Sequence, residues 1–469
     1  MPHRSRSRIL ARFFTGWLLA VAALAVLLVW AHASLAPDGA TTAPPHTADK
    51  AAPAGAALTP SPETVIPPFD ADTAQYLVTA FPMRGVQQLD DADPAFSLFS
   101  KGSALTAQVI ERDSSPVVRG ADLSVRAALR PPYAGGRNKD VSASLVLDEE
   151  GLAFAAKDMA VTPYAGDAAG AFQPYPVADV TVQDKDGATL AVTGTVLPVS
   201  TETGCRNCHG GPWKDGVAGG IAAETAADIL AVHDKRNATD LAELAQQGAT
   251  VDCRSCHSGD GDQPNLSTAV HGFHAAMDLR GDEACGLCHA SAETGATQFY
   301  RGYHALWDLG CTRCHGAMND HALSLLRREA ERGSPAAAKR LAQIKPVSVA
   351  ESGLISPRQP GENLPHCSGC HDFTQKPDAA TATAFNKWTK NEGERFTRAL
   401  ENTGQLRCPS CHGAPHAVYP ASNPAGDDRD NIQPLQYQGA AMPLGKDGNC
   451  AVCHTHDMPS FVHHDTVEK

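Results

Sequence analysis

The hydrophobic rhythm of the chain changes three times. From Phe13 to Pro37 an apolar run carries no Asp, Glu, Lys or Arg, and Arg4, Arg6, Arg8 and Arg12 stand ahead of it. The run is about as long as the ~20 residues that cross a bilayer and longer than the usual apolar stretch of a secretory signal. Ala31-His32-Ala33 offers a small-residue cleavage site. Residues 1–36 are therefore read as a signal peptide or a retained inner-membrane signal anchor, and the positive-inside rule puts the C-terminal mass outside the cytoplasm. From 37 to 64 the pattern gives way to Ala, Thr and Pro, with Pro44, Pro45, Pro53, Pro60 and Pro62, the composition of an extended linker.

Between 65 and 200 apolar and polar positions alternate with a period of two. Val180 and Val182, then Leu190 and Val192, flank the turn Asp184-Lys185-Asp186-Gly187, which predicts a hairpin; Leu123, Val125 and Leu145, Leu147 repeat the pattern. Several such runs predict a small all-β, sandwich-like domain. It contains no Cys or His, so it offers a docking or spacer module, or simply the structural start of the protein.

From 201 to 469 the period becomes helical, in short stretches separated by loop. Ala222 to Lys235 puts Ile229, Val232 and His233 on one face. Asn319 or Asp320 can cap a helix carrying His321, Leu325 and Leu326, which Gly333 ends before Ser334-Pro335 starts another. Thr383 to Asn402 reads as a further helix, with Phe385, Trp388 and Phe396 as packing residues.

Composition sharpens this picture. Hydrophobic residues make up 42% of the 469 and aromatics 6%, against 40 Gly and 33 Pro, too little apolar material for a conventional core throughout. The net charge of −13 excludes a nucleic-acid binder, which needs clustered Lys and Arg.

All 14 cysteines lie in seven CxxCH motifs: Cys205, Cys208 and His209; Cys253, Cys256 and His257; Cys285, Cys288 and His289; Cys311, Cys314 and His315; Cys367, Cys370 and His371; Cys408, Cys411 and His412; Cys450, Cys453 and His454. CxxCH is the attachment site of a c-type haem. The short arc between the cysteines lets two thioethers hold one macrocycle, and the adjacent His reaches the iron as proximal ligand. Zinc sites pair two CxxC motifs and require no His after every second Cys. Disulfide frameworks space cysteines irregularly, and a thioredoxin-like CxxC occurs once. Seven motifs with no cysteine left over point to seven covalent haems, no disulfide, and no cysteine for a lipid anchor. From Cys205 to His454 each motif has about 36 residues, too few to wrap each macrocycle separately, so the haems are expected to share walls and stand in for the missing core.

Outside the motifs and the targeting segment ten histidines remain, enough for a second imidazole on every iron. The candidates are His233 on its apolar helix face, His271 and His274 in the HGFH turn, His304 ahead of Cys311, His321 at a helix start, His416 four residues after His412, and His463 or His464 near the end. His366 and His456 stand too close to their neighbouring motifs to serve them. Methionine is the alternative axial ligand, but Met277, Met318, Met442 and Met458 are too few for seven irons.

On these motifs, and on the stretches LAVHDKRNATDL, NLSTAVHGFHA, GYHALWDLGCTRCHGAMNDHALSLL and NIQPLQYQG, the chain resembles the multihaem c-type cytochromes of bacterial respiration that carry an N-terminal β module. The resemblance covers residues 65 to 454. It implies a multidomain protein whose residues 201–469 form a mainly α and loop heptahaem cytochrome domain. Closely stacked, low-spin haems would pass electrons between a membrane donor and a periplasmic or extracellular acceptor protein, and a homo-oligomer or filament is compatible with it. The chain departs from the ammonia-forming nitrite reductases, which carry Lys in place of one motif His, and from the octahaem oxidoreductases by one haem. The expected function is electron transfer at low potential, with no protein nucleophile. The rival expectation is a reductase of a small nitrogen or sulfur compound, or of a metal, at one iron left open.

Overall fold

The computed structural model describes residues 64–456 and 458, except 83, 91–95, 100–101, 165–171, 214–219, 278, 290–294, 361–362, 372–376 and 390–404. The apolar segment from Phe13 to Pro37 and the linker before residue 64 lie outside the described residues, as do His463 and His464. Among the described residues no helix is long and apolar enough to cross a membrane.

Twelve strands form among the described residues: β1 (Tyr76–Pro82), β2 (Gln87–Gln88), β3 (Phe96–Ser97), β4 (Ser103–Glu111), β5 (Val117–Arg119), β6 (Ser124–Leu129), β7 (Ser142–Leu147), β8 (Phe154–Met159), β9 (Val177–Gln183), β10 (Thr189–Val196), β11 (Val199–Ser200) and β12 (Val251–Asp252). Eight of them make one antiparallel sheet in the order β1-β4-β8-β7-β6-β9-β10, with β5 on β4. The end strands β1 and β10 lie against each other without a hydrogen-bonded ladder, so the sheet curls into a nearly closed barrel. Two separate sheets, the expected sandwich, do not form. In β6 the period of two is obeyed: Val125, Ala127 and Leu129 point inward and Ser124 and Arg126 outward. The β9–β10 hairpin turns at Asp184–Gly187, where Asp184 accepts the Ala188 N–H and Gly187 takes a positive φ of 84°.

β1 breaks the alternation, because both of its faces are covered. Val78 and Ala80 join the barrel interior, while Leu77 packs with Tyr437 and Val452, and Phe81 with Ala414, Ala417 and Ala421. The longer helices of the C-terminal part are α1 (Ala223–Asn237), α2 (Leu266–His274), α3 (Met318–Glu331), α4 (Pro335–Leu341) and α5 (Ile432–Gln438). α5 lies on the barrel seam. Gln433 accepts the Ala80 N–H at 3.0 Å, the Tyr437 hydroxyl donates to Val78 O at 2.6 Å, and Thr193 donates to Gln436 at 2.6 Å. Gln108 of β4, wholly buried, accepts from Arg407 N at 2.8 Å and from the Ser410 hydroxyl at 2.7 Å. The all-β part is thus fused to the C-terminal part by buried polar contacts. Residues on both sides belong to one compact unit, Ala51–Lys469.

Helix signals fared unevenly. α1 forms as expected, and Ser334 caps α4 by accepting from Ala337 N, with Pro335 in its first turn. α3 also forms, but its N-cap is Ala317 rather than Asn319 or Asp320. Asp320 is wholly buried and receives Val347 N at 2.8 Å and Ser348 N at 3.0 Å instead. The helix expected from Thr383 does not start there: Thr383 to Thr389 is turn and extended backbone, because Ala384 N and Phe385 N donate to Arg313 O and His366 N donates to Lys387 O. The rest of that expectation, Phe396 included, lies outside the described residues.

The apolar interior is concentrated in the barrel, whereas the clusters of the C-terminal part are small, such as Ala322, Leu323, Leu326, Ile344 and Ile355. Replacing Gln108 with Leu leaves the Arg407 N–H and the Ser410 hydroxyl buried without their acceptor. The expected destabilisation is about 2–4 kcal/mol, read as a lower urea midpoint at unchanged slope.

Candidate histidine-pair centres

Each CxxCH motif folds as a single helical turn. The N–H of His209, His257, His289, His371 and His454 bonds the carbonyl of the first Cys of its own motif, and Cys311–His315 and Cys408–His412 are short helices, so two cysteines and one imidazole leave the same coil. Where the turn must end abruptly a glycine follows the histidine: Gly316 and Gly413 have φ of 85° and 82°, a region a side chain disfavours. None of the 14 cysteines is bonded to another. Among the described residues no three or more His, Cys, Asp or Glu converge as a bare metal ion requires.

The histidines instead come in twos. His209 faces His274 with ring centres 6.4 Å apart, His257 faces His233 at 6.5 Å, and His289 faces His271 at 6.1 Å. His371 faces His304 at 6.1 Å, and His315 faces His416 at 6.1 Å. Each pair joins a motif histidine to one of the second-ligand candidates. Two imidazoles bound to opposite sides of one metal by bonds of about 2.0 Å, with about 1.1 Å more from nitrogen to ring centre, stand about 6 Å apart. The observed separations match that span.

Ring orientation fits the same chemistry. His257 Nδ1 faces Pro264 O at 2.8 Å, His271 Nδ1 faces Ser267 O at 2.7 Å, and His274 Nδ1 faces Val270 O at 2.8 Å. His209 Nδ1 meets Asp228 at 2.9 Å, His233 Nδ1 meets Thr239 at 2.9 Å, and His454 Nδ1 meets Ser114 O at 3.0 Å. An acceptor at Nδ1 fixes the proton there and presents bare Nε2 as the ligand atom. Burial, aided by neighbouring imidazoles or arginines, drives His271 and His416 down to about 4 and His315 and His321 well below the ordinary range. These rings are neutral at physiological pH, as metal ligation requires. Burial also raises the thiols of Cys253, Cys288 and Cys411 to about 11 and those of Cys314 and Cys453 to about 12. Those positions suit uncharged sulfur, such as a thioether, better than the thiolate a zinc site uses. The donor set therefore fits haem.

His321 lies beside two of these pairs: its ring is 4.6 Å from His271 and 5.9 Å from His315, so His315 has two imidazole neighbours at about the pair separation, His416 and His321. His412 ends the turn Cys408–His412, and His463 falls outside the described residues. His366 meets Ser368 at 2.5 Å and His456 meets Thr455 at 3.0 Å, both local contacts. Of the methionines, Met318 is buried against Ala322 and Leu323, and Met277 is half exposed.

The motifs also touch one another. Gly204 N donates to Cys288 O at 3.0 Å and Asn207 to Leu287 O at 2.8 Å, joining the first motif to the third. Thr312 N donates to Asp282 at 2.7 Å and the Cys285 and Cys311 thiols hydrogen-bond, joining the third to the fourth. The chain from Ala384 to Lys387 bonds both Arg313 O and Gly369 O, bridging the fourth and fifth. Leu444 N donates to Cys411 O at 2.9 Å, tying the sixth to the stretch before the seventh. Arg112 of the barrel donates to Val452 O at 3.1 Å and Ala451 O at 2.7 Å, gripping the carbonyls between the last two cysteines. Neither Arg112 nor Arg358, which contacts His315 and His321, carried a recognisable sequence signal.

Gly85, also from the barrel side, backs His416: a Cβ there would sit 2.7 Å from His416 Cγ and 2.7 Å from Phe299 Cε1. Gly85→Ala is expected to displace His416 from His315 and to destabilise the fold by about 1–3 kcal/mol, read as a lower urea midpoint, with Gly353→Ala, which meets nothing, as the unchanged control. No protein-family model, no curated protein and no solved structure matches this chain.

Proposed function

We propose that the protein transfers electrons through seven covalently attached c-type haems, most of them held between two histidines, in exported respiration of the anaerobic type. The observation that carries this reading is the set of five motif histidines, each facing a second imidazole at 6.1–6.5 Å. When bound, haem iron supplies one-electron redox chemistry, and two imidazole ligands favour low potential.

The chain's residues have separate duties in this reading. Cys205 and Cys208, and their counterparts in the other six motifs, anchor a macrocycle edge. His209, His257, His289, His315 and His371 would hold the iron together with His274, His233, His271, His416 and His304 in turn. Carbonyls at Nδ1 of His257, His271 and His274 raise the basicity of the ligating nitrogen. The contacts between successive motifs would hold neighbouring haems close to one another. The N-terminal segment would carry the chain across, or hold it at, the inner membrane. Redox proteins on either side of the chain would be its partners.

Pyridine haemochrome analysis is expected to give seven haems per chain, with a ferric spectrum that is wholly low-spin and a reduced form that does not bind carbon monoxide. A different haem count sinks the reading, and a high-spin, carbon-monoxide-binding haem replaces the carrier with a reductase. The net charge of −13 favours cationic partners, so the rate of electron exchange with a basic partner is expected to fall as salt rises from 0.01 to about 0.15 M. A flat salt dependence counts against that partner class.

A further inference from the structure

Arg358 is 7% exposed, and among the described residues its side chain meets two imidazoles and an indole but no carboxylate. Its backbone N–H is used by Ser324 O at 2.9 Å, and its guanidinium stacks over the Trp388 ring at 5.1 Å. The other polar neighbours of the guanidinium are Nδ1 of His315, 3.3 Å from Nη1, and Nδ1 of His321, 3.5 Å from Nη2; Nε has no partner. Of the other buried arginines, Arg301 pairs with Asp430 at 2.6 Å and Arg407 with Asp148 at 3.0 Å, while Arg112 and Arg429 donate to carbonyl oxygens.

Donor counting turns this into a binding argument. A guanidinium has five N–H donors and no acceptor. An imidazole that ligates through Nε2 carries its proton on Nδ1 and is also a donor there. Once His315 holds iron, Arg358 and His315 therefore present donors to one another, and the proton of the buried His321 ring lies in the same cluster. Such a cluster of donors around a buried positive charge is stabilised by an anionic acceptor.

We propose that Arg358 binds a carboxylate, and that this carboxylate is a propionate of one of the haems packed around His315. The proposal rests on the haem reading and adds a positioning residue to it. Arg358 touches no iron; it acts through the propionate and through His315, holding positive charge beside that centre. Trp388 walls one side of the guanidinium, and the planar fork of an arginine suits a two-pronged grip on a carboxylate.

The test is spectroelectrochemistry of the full-length protein, after pyridine haemochrome analysis has counted its haems. A count other than seven in the wild type sinks the haem reading itself; the remaining outcomes bear on Arg358 alone. In Arg358→Gln, about one seventh of the absorbance change is expected to move to lower potential, because loss of a nearby positive charge disfavours the reduced, electron-richer state. Arg358→Lys, which keeps the charge, should hold that component close to the wild-type position. Unchanged potentials in Arg358→Gln overturn the proposal. If Arg358→Gln does not mature while Arg358→Lys does with wild-type potentials, the charge requirement stands. If neither variant matures, the side chain serves packing and the proposal falls. An external oxyanion is the competing source of the anion: if sodium nitrite or sodium sulfite perturbs the wild-type spectrum and not that of Arg358→Gln, the site takes a free anion and the propionate assignment is overturned.

Discussion

The C-terminal part of this chain is arranged around imidazoles that face one another, five pairs with ring centres 6.1–6.5 Å apart. Burial disfavours the charged form of His271, His315 and His416, and an acceptor at Nδ1 orients His257, His271 and His274. α2 shows how economically a helix can orient two such rings. His271 and His274 are three residues apart on adjacent positions of one face, and each bonds the carbonyl four residues back in the same helix. The orientation of these imidazoles is thus built into the helix itself. The two rings diverge to face His289 and His209, so one nine-residue helix supplies partners to two motifs.

The barrel takes part in this arrangement. Arg112 clamps carbonyls between the last two cysteines, Ser114 O orients His454, Gln108 holds the backbone and hydroxyl beside the sixth motif, and Gly85 sets the position of His416. A spacer would show none of these contacts. The one well-filled apolar interior therefore acts as a rigid wall for a C-terminal part whose own apolar clusters are small. The barrel, without Cys or His, contributes carbonyls, amides and the Arg112 guanidinium to these contacts.

Where sequence reasoning succeeded, the signal was local. CxxCH is a single turn, the β9–β10 hairpin is set by its Asp-Lys-Asp-Gly turn, and α1 and α4 are marked by apolar spacing and by the Ser-Pro start. Where it failed, distant hydrogen bonds outweighed local preference. Asp320 reads as a cap and is instead a buried acceptor for residues 347 and 348; Thr383 to Thr389 reads as the start of a helix and is held extended by Arg313 and by the strand-like pairing of Pro365 with Trp388. The alternating pattern of residues 65–200 announced strands but could not say whether they would form two sheets or close into one, because closure depends on how far the sheet twists before β1 meets β10.

The sequence by itself determined the chemistry: seven pairs of cysteines, each with its histidine, and a reserve of histidines large enough to face them. Only the tertiary structure decided who faces whom. His257 and His233 are close in the chain, but His315 finds its partner at His416, from beyond two further motifs. Such pairings follow from the packing of helices and turns against the barrel, which no residue spacing encodes. The same holds for Arg358, an ordinary loop residue until the fold buries it beside Nδ1 of two imidazoles.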